Sequence, residues 1–197
     1  MKAALGIETP YVALYSGNLS NKQGLEVLPE IARHLAHRDD VTLLICGDGP
    51  MRAELVASAE SLTNIRFLPL QPLEKLSELL GVADVHLLPQ IEGAADVMLP
   101  SKLTNMLASG RPVVATAHKG TALGDEVEGA GVLTPPGDGK AAASAVEALL
   151  DNPDLRSELG DAARVRALER WDMDAILGNL QLEFEVLARE REAVVGG

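Results

Sequence analysis

The sequence is poor in cysteine and in long apolar runs, and each shortage excludes a class of protein. Its single cysteine, Cys46, has no partner for an intrachain disulfide, which is typical of a reducing compartment. No run approaches the roughly 20 apolar residues of a membrane span, and the opening MKAALGIETP lacks the apolar core of a signal peptide. We therefore expect a cytoplasmic protein without a transmembrane helix, in which Cys46 is a buried structural thiol.

Metal-ligand patterns and basic residues are also scarce. The four histidines show no metal-ligand spacing, so we predict no metal site. The chain carries 29 acidic against 17 basic residues, a formal net charge of −12. A polyanion would be repelled on average, which argues against nucleic acid as a partner. A small anion is not excluded, because one lysine and a few backbone amides can hold it locally.

Aliphatic residues dominate what is present. Hydrophobic residues make up 47% of the chain and aromatic residues only 3%, a composition that favours helices packed on a parallel sheet. Apolar runs predict six strands at 11–17, 41–46, 64–70, 83–89, 111–117 and 129–136. Helical periodicity and end signals predict helices at 24–37, 50–60, 72–81, 102–109, 139–152, 153–171 and 172–190, with Pro50 at the first position of its helix and Ser101 as an N-cap. The fold class is therefore α/β, a six-stranded parallel sheet with helices on both faces.

The unusual residues follow the carboxyl ends of the predicted strands, where open α/β sheets bind ligands. YSGNLSNKQGLEVL, from Tyr15 to Leu28, places two glycines and a lysine after the first strand. Gly17 and Gly24 either let the backbone bend or bring amides to an anion at a helix start. GDGP (47–50) follows the second strand, LPLQP (68–72) the third, and a long loop at 90–100 the fourth.

Each candidate also has a structural interpretation. Gly47 and Gly49 are compatible with a tight turn, and GDGPMR lacks the third glycine of a dinucleotide motif, which argues against NAD. Glu92 and Asp96 are either solvated loop carboxylates or ligand contacts. Lys102 lies just inside a helix start, where a cation opposes the helix dipole unless an anion lies between. His86, in an apolar strand, is expected to be a buried histidine with its hydrogen bonds satisfied.

Five motifs in order resemble the nucleotide-sugar-binding half of GT-B glycosyltransferases, and within them the retaining family 4. They are SGNLSNKQGLEVL, LLICGDGP, NIRFLPLQPLEKLSELLGVADVHLLP, LPSKLTNMLASGRPVVAT and GVLTPPGD, and the likeness covers residues 5–188. Bacterial exopolysaccharide enzymes, in particular those of colanic-acid biosynthesis, look most similar. The resemblance implies the end of an interdomain linker at 1–10, a Rossmann-like donor-binding domain at 11–171, and a C-terminal helix at 172–197. That helix would cross back to an N-terminal domain that the chain lacks.

The resemblance also implies roles for individual residues. It assigns the donor diphosphate to Gly17, Asn18, Lys22, Gln23, Ser101, Lys102 and Leu103. It assigns the nucleoside to Gly47, Leu68, Pro69, Leu70 and Asn105, and the donor sugar to Glu92 or Asp96. Asn18 stands where the family has arginine, and Asn105 where it has a second glutamate. The family lysine corresponds either to Lys22, one place early, or to the position of Gln23, and both remain candidates.

The implied activity is transfer of a sugar, with retention, from a GDP- or UDP-linked donor to a polysaccharide or lipid-linked oligosaccharide. No metal, cofactor or protein nucleophile is implied, and the acceptor would be bound mainly by the absent domain. Peripheral association with the cytoplasmic face of the inner membrane would accompany a lipid-linked acceptor. Two alternatives stay open. One is a nucleotide-sugar epimerase-like enzyme, for which His118 is a suitably placed histidine, and the other is a non-catalytic nucleotide-sugar-binding module.

Overall fold

The computed structural model describes residues 2–93, 99–173, 176–178, 181–182 and 184. Six strands form one sheet in the order β3-β2-β1-β4-β5-β6, and every neighbouring pair is parallel. The strands are β1 (Tyr11–Ser16), β2 (Val41–Cys46), β3 (Ile65–Leu68), β4 (Val85–Leu88), β5 (Val113–Thr116) and β6 (Gly131–Thr134). Each lies within the range predicted from its apolar run. The predicted α/β fold with a six-stranded parallel sheet is confirmed.

Seven α-helices connect and follow these strands within residues 2–93 and 99–171. They are α1 (Val27–His34), α2 (Arg52–Ser58), α3 (Leu76–Leu80), α4 (Lys102–Ala108), α5 (Ala122–Val127), α6 (Gly139–Asp151) and α7 (Pro153–Arg170). Helix α5 was not predicted. Parallel neighbours β5 and β6 need a crossover connection, and Thr121 begins the helix there by accepting a hydrogen bond from the Gly124 amide at 3.0 Å.

The predicted N-cap at Ser101 and the predicted helix start at Pro50 are wrong. Ser101 has helical backbone angles (φ −55°, ψ −25°) and its side chain makes no capping bond, because an N-cap side chain reaches the first amides only from an extended backbone. Helix α2 begins at Arg52, so Pro50 lies in the preceding turn. The predicted helix at 172–190 lies largely outside the described residues.

Successive side chains of each strand point to opposite faces, and helices cover both. Ala13 and Tyr15 of β1 pack in the cluster that includes α1, α2 and α6. Val12 and Leu14 point the other way and pack with α3. On that same side of the sheet, Val113 and Ala115 of β5 pack with α4, α5 and α7. Val114, between them, points to the opposite side and packs in the cluster of α1, α2 and α6. The prediction of helices on both faces is confirmed.

The strand order determines which connections meet. β1 lies between β2 and β4, so the segments that follow these three strands emerge side by side at the carboxyl edge. Among the described residues, no helix has both the length and the apolar character needed to cross a membrane.

Candidate functional site

The connections after β1 and β2 are in direct backbone contact. The Gly17 amide donates to the Cys46 carbonyl at 3.0 Å, which continues the strand pairing. A Cβ on Gly47 would lie 1.9 Å from the Gly17 carbonyl oxygen, closer than any side chain allows. Gly47 is therefore required by this close approach, which confirms the tight-turn interpretation of GDGP and leaves its predicted nucleoside contact a prediction.

The segment 17–24 bends back against the β4 connection. Gly24 has φ +62°, which favours glycine, and a Cβ there would lie 3.0 Å from the Gln90 carbonyl. Gly47 and Gly24 are thus needed by the backbone whatever the site binds. The bend also brings the Asn18 carbonyl and the Gln23 side chain to the edge above β1.

Lys102, at the start of α4, reaches across this edge to β1. Its Nζ donates to the Gln23 Oε1 atom at 2.8 Å and to the Tyr15 hydroxyl at 3.1 Å. The ammonium also lies 4.4 Å from the centroid of the Tyr15 ring, a cation–π contact. The Tyr15 hydroxyl donates to the Asn18 carbonyl at 2.7 Å or to Gln23 Oε1. The end of β1 and the segment that follows it thus meet the distant helix α4 at one ammonium group.

The positive charge of Lys102 has no counter-charge in the part of the chain that the structure describes. Its partners are an amide oxygen, a hydroxyl and a ring, all of them neutral, and no ion pair includes it. Burial lowers the pKa of Lys102 to about 8, because desolvation disfavours the charged form. Burial also raises the pKa of Tyr15 well above its usual value, so its hydroxyl stays protonated. An anion would complete this site.

The structure brings Gln23, rather than Lys22, to Lys102. Lys22 is exposed and forms no hydrogen bond or ion pair among the described residues. Asn18 is exposed, and its side-chain oxygen lies against Gly49, where a Cβ would approach it to 2.7 Å. The cation near the first connection is thus supplied from α4.

The other α4 candidates face in different directions. Ser101 is exposed, and Leu103 is buried in the core beside β5. Asn105 is exposed and lines a groove of about 370 Å³ between α3, α4 and α7, together with Leu80 and Arg164. In the described contacts it does not meet Lys102.

The predicted nucleoside segment is held by hydrogen bonds to its carbonyls. The Leu68 carbonyl accepts from the Gly47 amide at 3.1 Å, and the Pro69 carbonyl accepts from the Cys46 thiol at 3.2 Å. Leu70 is 66% exposed, so its surface is open to a ligand. Arg52, which the sequence analysis missed, donates to the carbonyls of both Gly47 and Leu68 and joins the two segments.

The donor-sugar candidates lie partly outside the described residues. Asp96 is not among them. Glu92 is exposed and its Oε1 lies 3.0 Å from His118 Nε2, so the connections after β4 and β5 meet here. Among the described residues no cluster of three or more histidine, cysteine or acidic side chains could hold a metal ion.

His86 and Cys46 belong to the core. The Nε2 atom of His86 bonds the Ser109 hydroxyl at 2.9 Å, but its buried Nδ1 atom has no hydrogen-bond partner among the described residues, so the expectation of a fully satisfied histidine is wrong there. Burial lowers the pKa of His86 to about 3 and keeps the ring neutral. Cys46 is buried as predicted, and burial raises the pKa of its thiol.

The chain matches the family model described as "Glycosyl transferases group 1" over residues 1–166. It is 44% identical over 118 residues to the putative colanic acid biosynthesis glycosyl transferase WcaI of Escherichia coli K12, which is 59% of this chain and 29% of that protein. It is 32% identical over 155 residues to the putative colanic acid biosynthesis glycosyltransferase WcaL of the same strain, 75% of this chain and 38% of the relative. The chain thus spans less than half the length of these relatives.

Solved structures share the fold. Anabaena Alr3699/HepE, in complex with UDP and glucose, superposes with a TM-score of 0.75 at 20% identity, over 95% of this chain and 51% of that one. Sucrose-phosphate synthase from Thermosynechococcus elongatus gives a TM-score of 0.74 at 26% identity, over 95% and 48%. With the family model covering most of its length, this chain belongs to the glycosyl transferases group 1 family.

Proposed function

We propose that this chain is the donor-binding domain of a glycosyltransferase, in which Lys102 binds the diphosphate of a nucleotide sugar. The observation that carries the proposal is the partly buried Lys102 ammonium, whose described partners are all neutral. Burying an unpaired charge costs free energy, and an anionic ligand offsets that cost. Family membership and the UDP in the HepE structure support a nucleotide sugar as that ligand.

The remaining candidates fit around this diphosphate. The nucleoside would lie along Gly47 and the exposed Leu68–Leu70 segment, whose backbone Arg52 holds in place. The sugar would extend toward Glu92. We infer a GDP- or UDP-linked donor. The UDP in the HepE structure supports UDP, and GDP is kept from the resemblance to colanic-acid enzymes.

The chemistry that we propose is transfer with retention to a polysaccharide or lipid-linked acceptor. As the glycosidic bond breaks, negative charge develops on the leaving nucleoside diphosphate, and Lys102 would stabilise it electrostatically. A second domain, corresponding to the part of the relatives that this chain does not match, would bind most of the acceptor. The colanic acid relatives support a saccharide acceptor, and a lipid-linked one would bring the whole enzyme to the cytoplasmic face of the membrane.

The test is thermal unfolding with GDP, UDP, ADP and NAD in turn. A ligand at a hundred times its Kd adds about 2.7 kcal/mol, which raises Tm by roughly 5–10 °C for a domain of this size. We expect a rise with GDP or UDP, and loss of that rise in Lys102→Met. Lys140→Met removes an exposed lysine from the first turn of α6 and serves as the matched control. Equal shifts in Lys102→Met and wild type, or no shift with any nucleotide at millimolar concentration, would contradict the proposal.

A further inference from the structure

Tyr15 combines a buried ring with a polar group aimed at the candidate site. The residue is the last but one of β1 and is 0% exposed. Its hydroxyl nevertheless lies at the carboxyl edge, where it accepts from Lys102 Nζ at 3.1 Å and donates to the Asn18 carbonyl or Gln23 Oε1. A phenylalanine would fill the same core space, so packing alone does not account for the hydroxyl.

The orientation of the Gln23 carboxamide follows from its neighbours. A lysine ammonium carries only donors, so the Gln23 oxygen has to face it. The Tyr15 hydroxyl is also within donating distance of that oxygen. The amide NH₂ group therefore points away from both, and it forms no hydrogen bond among the described residues. It is an available neutral donor beside the ammonium.

We propose that Tyr15 is a positioning residue of this site, holding the Lys102 ammonium and turning the Gln23 carboxamide so that its NH₂ group donates to the bound diphosphate. This inference rests on the proposed function and adds to it a neutral second donor and a residue that never touches the ligand. The Lys102 ammonium and the Gln23 amide would replace the arginine and the lysine that the family pattern places after the first strand.

Few charges face Lys102 among the residues that the structure describes. β1 contributes the neutral Tyr15, and segment 17–24 contributes the neutral Gln23, with the exposed Lys22 as its one charged side chain near this edge. The other residues of α4, Leu103 to Ala108, are uncharged. With its pKa lowered to about 8, Lys102 loses its proton in the empty site at mildly alkaline pH. Diphosphate affinity is expected to fall above pH 8, by up to about tenfold per pH unit for one coupled proton.

The experiment is calorimetric titration with whichever of UDP or GDP binds, between pH 7 and pH 9. Tyr15→Phe removes one hydrogen bond to the ammonium, so we expect roughly three- to tenfold weaker binding at pH 7.5. We also expect the affinity to begin to fall at a lower pH than in wild type. Tyr11→Phe makes the same change at the other end of β1 and is expected to match wild type. Lys102→Arg keeps its charge over this range, so it identifies the part of the pH profile that belongs to the nucleotide itself.

A second measurement needs no nucleotide. The Lys102 side chain is titrated by carbon-13 NMR, with its signal assigned by its loss in Lys102→Arg, and Tyr15→Phe is expected to lower the midpoint. An unmoved midpoint with unchanged affinity would overturn the inference while leaving the proposed function intact. Absence of nucleotide binding at every pH would overturn the proposed function and, with it, the ligand named here, even if the midpoint moved.

Discussion

At the scale of single residues, Lys102 links stability to function. In the empty protein its charge is partly buried, and its described partners are neutral groups, so the folded state binds its proton less tightly than the unfolded chain does. The cost of this burial is fully present below pH 8. It declines as pH rises from about 8 to 10.5, where the unfolded chain also loses the proton.

Lys102→Met should therefore stabilise the empty protein at pH 7, by roughly 1–3 kcal/mol, while removing its response to nucleotide. The measurement is urea unfolding of wild type and variant at pH 7, 8.5 and 10. The stability difference should shrink as pH rises, because the wild-type lysine becomes neutral. A variant that is less stable than wild type at pH 7 would show that the Tyr15 and Gln23 contacts outweigh the cost of burial.

The residues of the site also show what the sequence could not supply. Lys102 was predicted as an anion contact from its place at a helix start, whereas Tyr15 was read only as part of an apolar strand. The contact between Gln23 and Lys102 joins residues 79 apart and depends on β1 and β4 being neighbours. Periodicity predicts strands but not their order, so the choice between Lys22 and Gln23 had no basis in the sequence.

At the scale of elements, continuous apolar runs located all six strands, while helix ends were less certain. Helix α5 was missed because its segment, GTALGDEVEG, contains three glycines and its apolar stripe consists only of Leu123 and Val127. The crossover rule for parallel strands would have required an element there. The prediction of Ser101 as an N-cap was wrong because residue type alone does not show whether the backbone is extended or already helical.

The packing of α7 on α4 depends on one glycine. Gly160 is buried in α7, and a Cβ there would lie 2.5 Å from the Gly110 carbonyl oxygen. Glycine to alanine within an exposed helix stabilises by about 1 kcal/mol, but here the helices would have to separate. We expect Gly160→Ala to destabilise the protein by about 1–3 kcal/mol in urea unfolding.

The control for that change lies in the same helix. Ser157 is exposed on α7, so Ser157→Ala should be neutral or slightly stabilising through helix propensity alone. If Gly160→Ala proves as stable as Ser157→Ala, then α7 can move away from α4 without loss of packing.

At the scale of the whole molecule, the sheet consists of two continuous stretches of chain. Strands β1 to β3 (11–68) form one half and β4 to β6 (85–134) the other. The register between the halves pairs only Ala13 with Val85 and Leu14 with His86, whereas β1 and β2 pair over six residues. Tyr15 and Gln23 belong to the first half and Lys102 to the second, so a diphosphate bound by Gln23 and Lys102 would contact both.

Nucleotide should accordingly slow hydrogen exchange along the β1–β4 pairing more than elsewhere. The amide of Asp84, which donates to the Val12 carbonyl, reports on this pairing, and that of Leu43, which donates to Asn64 within the first half, is the comparison. Equal slowing at both amides would indicate that exchange occurs only through global unfolding.

A short pairing of this kind also bears on how long the protein survives in a cell. Proteases cleave chains that have opened, at a rate that follows the population of the open form. If the halves separate first along β1 and β4, occupancy of the site governs that population. If the proposed function holds, the supply of sugar donor would then set the lifetime of this protein.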